Sequence, residues 1–202
     1  MRSGRLSWPP AVRAILWMDA VLLIAGAFAL AHVRPALGAQ VGTWTWTALT
    51  GSTLTAALGA LSAFQTAVPQ HGRAWAWLPI PALALWLAAS GLDCAAIPPG
   101  AHAWGSTFAE AGQCLRFLLA ISLPLFALMA AMLWWMAPPQ PVLPMALGAL
   151  ASAGAASSLL AFVHPHPASF LDLAAAHALA LLVVLAAGAA ASRLPKRSKP
   201  QR

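Results

Sequence analysis

The residues of this chain that could do chemistry are its two cysteines, six histidines and four acidic residues. Both cysteines, with most of the histidines and acids, fall in two segments, residues 93–114 and 164–177. They are Asp93, Cys94, His102, Glu110, Cys114, His164, His166, Asp172 and His177. Thiolate, imidazole and carboxylate are the groups that bind transition metals in proteins. Metal sensing or redox chemistry is therefore one interpretation of this grouping.

The spacing of these residues leaves two other interpretations open. The sequence contains neither a Cys-x-x-Cys nor a His-x-x-x-His pattern, and His164-x-His166 is only a short pair. One alternative is that these are ordinary polar side chains at a membrane surface. The other is a structural disulfide between Cys94 and Cys114, which an oxidising compartment would permit.

Signatures of common enzyme classes are missing from the sequence. There is no Gly-x-Ser-x-Gly, His-Glu-x-x-His or P-loop motif. No pair of carboxylates placed for acid–base catalysis can be identified either. We therefore expect that the protein is not an enzyme and has no obligatory cofactor.

The composition indicates what kind of element must position these residues. The chain has 202 residues, of which 61% are hydrophobic and 7% are charged, and its mean hydropathy is +0.77. A soluble domain carries about 25% charged residues. The chain is thus predicted to be an integral membrane protein. This excludes a soluble enzyme, a nucleic-acid reader and a disulfide-stabilised secreted module.

Six apolar segments are long enough to cross a bilayer, which takes about 20 helical residues. Helices are expected because an open chain in lipid satisfies its backbone hydrogen bonds only in this form. The sequence therefore predicts an all-α membrane protein, a bundle of six transmembrane helices within residues 15–193. The predicted spans are residues 15–33, 45–68, 74–92, 115–136, 142–163 and 171–192.

The distribution of Lys and Arg predicts the orientation, because cytoplasmic segments carry the excess of these residues. With both ends inside, nine of the eleven basic residues are cytoplasmic, and only Arg34 and Arg116 lie outside. The predicted topology is N-in/C-in, with residues 1–14 as a short cytoplasmic tail and 194–202 as a basic cytoplasmic tail. The net charge of +7 then reflects topology and attraction to the lipid bilayer, and we expect no direct nucleic-acid binding.

Two features inside the predicted spans bear on function. Asp19 is an intramembrane carboxylate, and such groups usually face the interior of a bundle; an interfacial Asp near Arg13 is the simpler interpretation.

The last two spans are rich in Gly, Ala and Ser, which allow helices to approach closely. This pattern predicts tight packing within one bundle, with a homodimer face as the alternative.

Motifs along residues 34–193 resemble a known family, the NrsF-type six-span membrane anti-sigma factors. The motifs that carry the resemblance occur in the same order as in the family and on matching helices. They are Arg34-Pro35, Val68-Pro69, Ser90-Gly91 with Cys94, Cys114-Leu115-Arg116, Ser122-Leu123-Pro124, His164-Pro165, Asp172-Leu173 and His177. The resemblance implies a multipass protein of the bacterial inner membrane. Such a protein sequesters an extracytoplasmic-function sigma factor of the SigF kind on the cytoplasmic side.

The resemblance also implies a sensing site on the periplasmic side. Sensing cysteines in the family lie near the start of the fourth span and in the last outer loop. Cys114 matches the first position, whereas His164 stands where the second is expected, so a disulfide between these positions is not possible here. Metal ligation remains possible. We therefore predict a site for a sensed soft metal, Cu or Cd, with Cys114 and His164 as first ligands and Cys94 and His166 completing it.

Two other function classes remain as alternatives to an anti-sigma factor that responds to a metal or oxidative signal. One is a small multipass metal or solute transporter, which would require polar residues that meet at mid-bilayer. The other is a membrane thiol-redox protein, for which Cys94 and Cys114 are unusually far apart in sequence.

Overall fold

The structure is a computed structural model that describes residues 8–32, 42–95, 108–163 and 177–193; at 29–32, 94–95, 108–111 and 163 it describes the backbone alone. Within these ranges the chain is all-helical and contains no β-strand, so the all-α part of the predicted fold class is confirmed there. A 3-10 helix, Arg73–Trp77, precedes the third α-helix. The α-helices are α1 (Pro10–His32), α2 (Thr43–Thr66), α3 (Ile80–Ala95), α4 (Phe108–Met136), α5 (Val142–Val163) and α6 (Leu179–Ser192).

Five of the described segments are long and apolar enough to cross a membrane. They are Pro10–Phe28, Thr43–Thr66, Arg73–Asp93, Gly112–Met136 and Val142–Phe162. Helix α6 is apolar but has only 14 residues, and residues 171–176 of the predicted sixth span lie outside the described ranges. The sixth span and the N-in/C-in orientation therefore stay predictions.

The third of these segments is built from two helices. The 3-10 helix ends at Trp77 and α3 begins at Ile80. Pro79 and Pro81 flank the first residue of α3; because proline has no backbone N–H, it suits the start of a helix, where that donor has no helical acceptor. Pro79 is fully buried, so the junction between the two helices is anchored in the bundle.

Helices α2 and α5 form the centre of the bundle. α3 packs on α2, and α4 and α6 pack on α5 and on each other. α1 lies mainly against α2, with smaller contacts to α4 and α5. The centre of the protein is therefore a helix pair, and the other helices are arranged around it.

Small residues let α2 and α5 approach until their backbones touch. A Cβ added at Gly154 of α5 would lie 2.8 Å from the carbonyl oxygen of Ser52 in α2, and one at Gly59 would lie 3.2 Å from the Cβ of Ala151. The hydroxyls of Ser52 and Ser158 join the same helices by a 2.9 Å hydrogen bond. In lipid such close packing and hydrogen bonding replace the hydrophobic effect as the cause of helix association. The small residues of the fifth span thus pack within one chain, and the homodimer stays a prediction.

A tryptophan hydrogen bond attaches α1 to α4. Nε1 of Trp17 donates to the backbone carbonyl oxygen of Leu125 at 3.1 Å, and Trp17 is fully buried. Pro124 directly precedes this carbonyl and has no N–H, so α4 lacks one backbone hydrogen bond there. Nearby, the hydroxyl of Ser122 donates to the carbonyl oxygen of Leu118. α1 therefore holds α4 at the point where the backbone hydrogen bonds of α4 are interrupted.

The two ends of the bundle differ chemically. The basic end comprises the start of α1, the end of α2, the 3-10 helix, the α4–α5 turn and the end of α6, and it carries Arg13, Arg73 and Arg193. Nη2 of Arg73 donates to Oε1 of Gln140 at 2.7 Å, which joins the α2–α3 turn to the α4–α5 turn. The opposite end, the Asp93 end, is where the start of α2 meets the end of α3.

The contact between α2 and α5 predicts a large effect for one added methyl group. Gly154→Ala should lower the free energy of unfolding by about 1–3 kcal/mol, because its Cβ would overlap the Ser52 carbonyl. Gly26→Ala is the matched control, since Gly26 is helical and has no atom within 4 Å of an added Cβ. The measurement is the unfolding transition of each full-length variant in detergent. Equal stability of the two variants would contradict the close contact.

Candidate functional site

Cys114, the first predicted metal ligand, lies in α4 near the Asp93 end of the bundle. It is 6% exposed and packs in an apolar cluster with Leu118 of α4, Ala156 and Leu160 of α5, and Ala180 of α6. We call this set the Cys114 cluster. Its thiol lies where three helices meet rather than on an open surface. A ligand or oxidant that reached this sulfur would therefore disturb the packing of the Cys114 cluster.

The other three predicted ligands fall outside what the structure describes. Cys94 lies in the last turn of α3, where the backbone alone is described, and His164 and His166 follow the end of α5 between two described ranges. Among the side chains that are described, no three His, Cys, Asp or Glu residues are grouped so that they could hold a metal ion. The site of Cys114, His164, Cys94 and His166 stays a prediction.

His177 lies in a π-helical turn directly before α6 and contacts Trp86 of α3. The two ring centroids are 6.3 Å apart, and the ring planes meet at 69°. The backbone of Trp86 in turn touches α2, since a Cβ added at Gly51 would lie 2.7 Å from the Trp86 nitrogen. Ala180, one turn after His177, belongs to the Cys114 cluster. His177 therefore joins α3 to the region of α6 that contacts Cys114.

A carboxylate joins α2 to α3 at the Asp93 end. The hydroxyl of Thr45 lies 3.0 Å from each carboxylate oxygen of Asp93, to which it donates. Asp93 is in the last turn of α3, where a negative charge is unfavourable, but it lies beside the first turn of α2, where it is favourable. The cap residue Gly42 makes no side-chain hydrogen bond, and the first turn of α2 contains no acid. Asp93 therefore supplies the negative charge that α2 lacks at its own N-terminus.

Asp19 is exposed on the surface of α1 and does not face the interior of the bundle. Its neighbours on the same face, Ile15, Leu22 and Leu23, are also exposed. Arg13, the nearby basic residue, donates from Nε to the carbonyl oxygen of Trp8. Asp19 is thus not placed to form a polar pathway through the bundle with residues of the other helices.

Sequence reasoning singled out Asp93 and His177 but missed the residues that contact them, Thr45 and Trp86. It also missed Gln140, the partner of Arg73. Hydroxyl, indole and amide side chains occur throughout the chain, and no motif distinguishes these three. Each contact joins residues that are far apart in sequence, so it becomes visible only when the packing of the helices is known.

Over the residues that the structure describes, these features define a class: an all-helical apolar protein with five helices long and apolar enough to cross a membrane, a basic end, and a buried thiol near the opposite end. Its family follows from comparison with known proteins. The family model of NrsF, described as negative regulator of sigma F, matches residues 4–196. The chain belongs to the NrsF family. No curated protein and no solved structure matches it.

Membership of this family confirms the resemblance seen in the motifs. A family of negative regulators of sigma F supports a role as a negative regulator of a sigma factor and implies a sigma factor as partner. It also suggests a regulatory rather than an enzymatic role.

The bond between Thr45 and Asp93 gives a second prediction. Thr45→Val removes the hydroxyl but keeps the side-chain shape. We expect it to lower the free energy of unfolding by about 1–2 kcal/mol, because a hydrogen bond to a charged group is stronger than one between neutral groups. Thr47→Val is the matched control, because the hydroxyl of Thr47 donates within α2 to the carbonyl oxygen of Thr43. In an Asp93→Ala background the effect of Thr45→Val should vanish. An unchanged effect in that background would show that the bond does not stabilise the helix pair.

Proposed function

We propose that the protein is a membrane-bound anti-sigma factor. It holds an extracytoplasmic-function sigma factor at the cytoplasmic face of the bacterial inner membrane and releases it in response to a periplasmic metal or oxidative signal. The observation that carries this proposal is the family match over residues 4–196 in a chain with five helices able to cross a membrane.

The distribution of charge supports the proposed sidedness. Arg13, Arg73 and Arg193 lie at the basic end of the bundle, and Arg116 lies towards the Asp93 end. Because cytoplasmic segments are enriched in Lys and Arg, the basic end is the proposed cytoplasmic end. The sigma factor would contact the N-terminal residues 1–13 and the loop around Arg73. The Asp93 end and the Cys114 cluster would face the periplasm.

The position of Cys114 offers a route for the signal. The Cys114 cluster joins α4, α5 and α6, and the same α4 and α5 meet at the turn that contains Gln140. A ligand shifts a conformational equilibrium only if it prefers one of the two arrangements. A soft metal held by the Cys114 thiol would have such a preference, because the apolar packing around the thiol must open to admit the other ligands.

The transporter alternative has little support from the described residues. Asp19 lies on the outer surface of α1, and the centre of the bundle is filled by small residues of α2 and α5. The exposed carboxylate is therefore not part of a polar path at mid-bilayer, which a transporter of this size would need.

Loss of the protein should release the sigma factor. We expect deletion of the gene to raise transcription from the promoters of the partner sigma factor without any inducer, and the intact gene supplied in trans to restore the low level. Transcript levels in the deleted, complemented and parent strains measure this. Unchanged transcription after deletion would contradict sequestration.

Loss of the predicted ligands should abolish induction and leave repression intact. Cys114→Ser and His164→Ala remove a thiolate and an imidazole on the proposed periplasmic side, whereas the sigma contact lies at the basic end. Leu118→Val is the control, because it perturbs the Cys114 cluster but keeps the thiol. Reporter transcription after exposure to Cu or Cd is the measurement. Normal induction in both ligand variants would show that this site is wrong.

A further inference from the structure

Two polar atoms in the last turns of α2 are buried without a hydrogen bond. They are the hydroxyl oxygen of Ser62 and the side-chain oxygen Oε1 of Gln65, and neither has a partner among the residues that the structure describes. Ser62 is fully buried, and Gln65 is half-buried. A polar group left unpaired in an apolar interior is costly, so buried polar groups normally bond to protein or to ordered water. These two atoms therefore point to a ligand.

The hydroxyl of Ser62 behaves differently from comparable buried hydroxyls of the bundle. Thr55, Ser122 and Ser152 each donate to the carbonyl oxygen four residues earlier in their own helix. For Ser62 that acceptor would be the carbonyl oxygen of Leu58, and Ser62 makes no such bond. Its hydroxyl thus remains available to a group outside its own helix.

Ser62 and Gln65 lie on one face of α2, the face that packs towards α3. The two residues are one helical turn apart, a spacing that places side chains about 5–6 Å from each other at Cβ. Gly51 marks the face, since a Cβ added there would lie 2.7 Å from the Trp86 nitrogen of α3. Ser62 follows Gly51 by about three full turns at 3.6 residues per turn, so it lies on the same side of the helix.

The 3-10 helix lies opposite this part of α2. Thr45, near the start of α2, bonds to Asp93, near the end of α3. Gly51 meets Trp86, which is later in α2 and earlier in α3, so the two helices run antiparallel. Three turns beyond Gly51, the facing segment therefore precedes α3, and the 3-10 helix Arg73–Trp77 indeed contacts α2. The two buried oxygens thus lie between α2 and the 3-10 helix.

The chemistry of this site suits water and not a metal ion. The hydroxyl of Ser62 can both donate and accept, and Oε1 of Gln65 accepts. A backbone carbonyl of the facing 3-10 helix can supply a third bond, and a buried water typically makes about three. Residues 43–92, which include α2, the 3-10 helix and most of α3, contain no Asp or Glu. The site therefore offers a metal ion no negative charge.

We propose that Ser62 and Gln65 hold one buried water molecule, whose third bond goes to the backbone of the 3-10 helix. This water fastens the 3-10 helix to α2. The same helix begins at Arg73, which donates to Gln140 in the α4–α5 turn. The water site therefore helps to fix the arrangement of the basic end, whichever partner binds there.

The first test is the melting temperature of full-length variants in detergent. Ser62→Ala and Gln65→Met should each lower it by about 2–4 °C, because each removes a bond to the water. The double variant should melt no lower than the less stable single variant, since both changes release the same water. Ser152→Ala is the matched control: Ser152 is equally buried, but its hydroxyl donates within α5 to Gly148, so its loss should not lower the melting temperature.

The second test is hydrogen exchange of the backbone amides of residues 73–77, measured by mass spectrometry. Ser62→Ala should make their exchange about fivefold faster, because the 3-10 helix loses its attachment to α2. Ser152→Ala should leave this exchange unchanged. An experimental structure that shows ordered water should have density within hydrogen-bond distance of both Ser62 Oγ and Gln65 Oε1.

The opposite signs of the outcomes make the test decisive. Removing a buried hydroxyl that has no partner stabilises a protein, so an unchanged or higher melting temperature of Ser62→Ala would overturn the inference. Additive losses in the double variant would show that the two residues do not share one water. A Ser62 hydroxyl that donates to the Leu58 carbonyl, with no density between Ser62 and Gln65, would also overturn it.

Discussion

The contact between α2 and α5 is the constraint on which the rest of the structure depends. In the proposed membrane setting, lipid offers no hydrophobic gain for joining apolar helices, so association relies on close packing and on hydrogen bonds. Gly154 against the Ser52 carbonyl, with the bond between Ser52 and Ser158, supplies both. α3 packs on one member of this pair, and α4 and α6 pack on the other. The Cys114 cluster and the two turns joined by the bond from Arg73 to Gln140 are therefore all positioned by helices that rest on the α2–α5 contact.

The helices were predictable from sequence because they coincide with apolar segments, five of which are long enough in the described residues to cross a membrane. The family was predictable from its ordered motifs. The 3-10 helix before α3 was not, since residues 74–77 fall within the same predicted span, 74–92, as α3. The contacts of Thr45 with Asp93 and of His177 with Trp86 were not predictable either. They depend on which faces of the helices meet, and the apolar segments, being hydrophobic all round, give little indication of that.

The predicted metal site also depends on helix packing that the sequence does not indicate. Residue types indicated that Cys114 could bind a metal, but its burial follows from the packing of α4, α5 and α6. A ligand that bound this buried thiol would disturb the packing of three helices, whereas a ligand on an exposed thiol need not. The turn that contains Gln140 lies at the other end of α4 and α5. Along α4, the interruption at Pro124 and the bond of Trp17 to Leu125 lie between the two regions.

The central claim is that this protein holds a sigma factor at the membrane, and the distribution of that sigma factor in cells tests it most directly. Membranes and cytosol are separated from cells with and without the protein, and the sigma factor is quantified in each fraction without inducer. The account predicts that the sigma factor sediments with the membranes when the protein is present and is soluble when it is absent. A sigma factor that stays soluble in both strains would contradict the account.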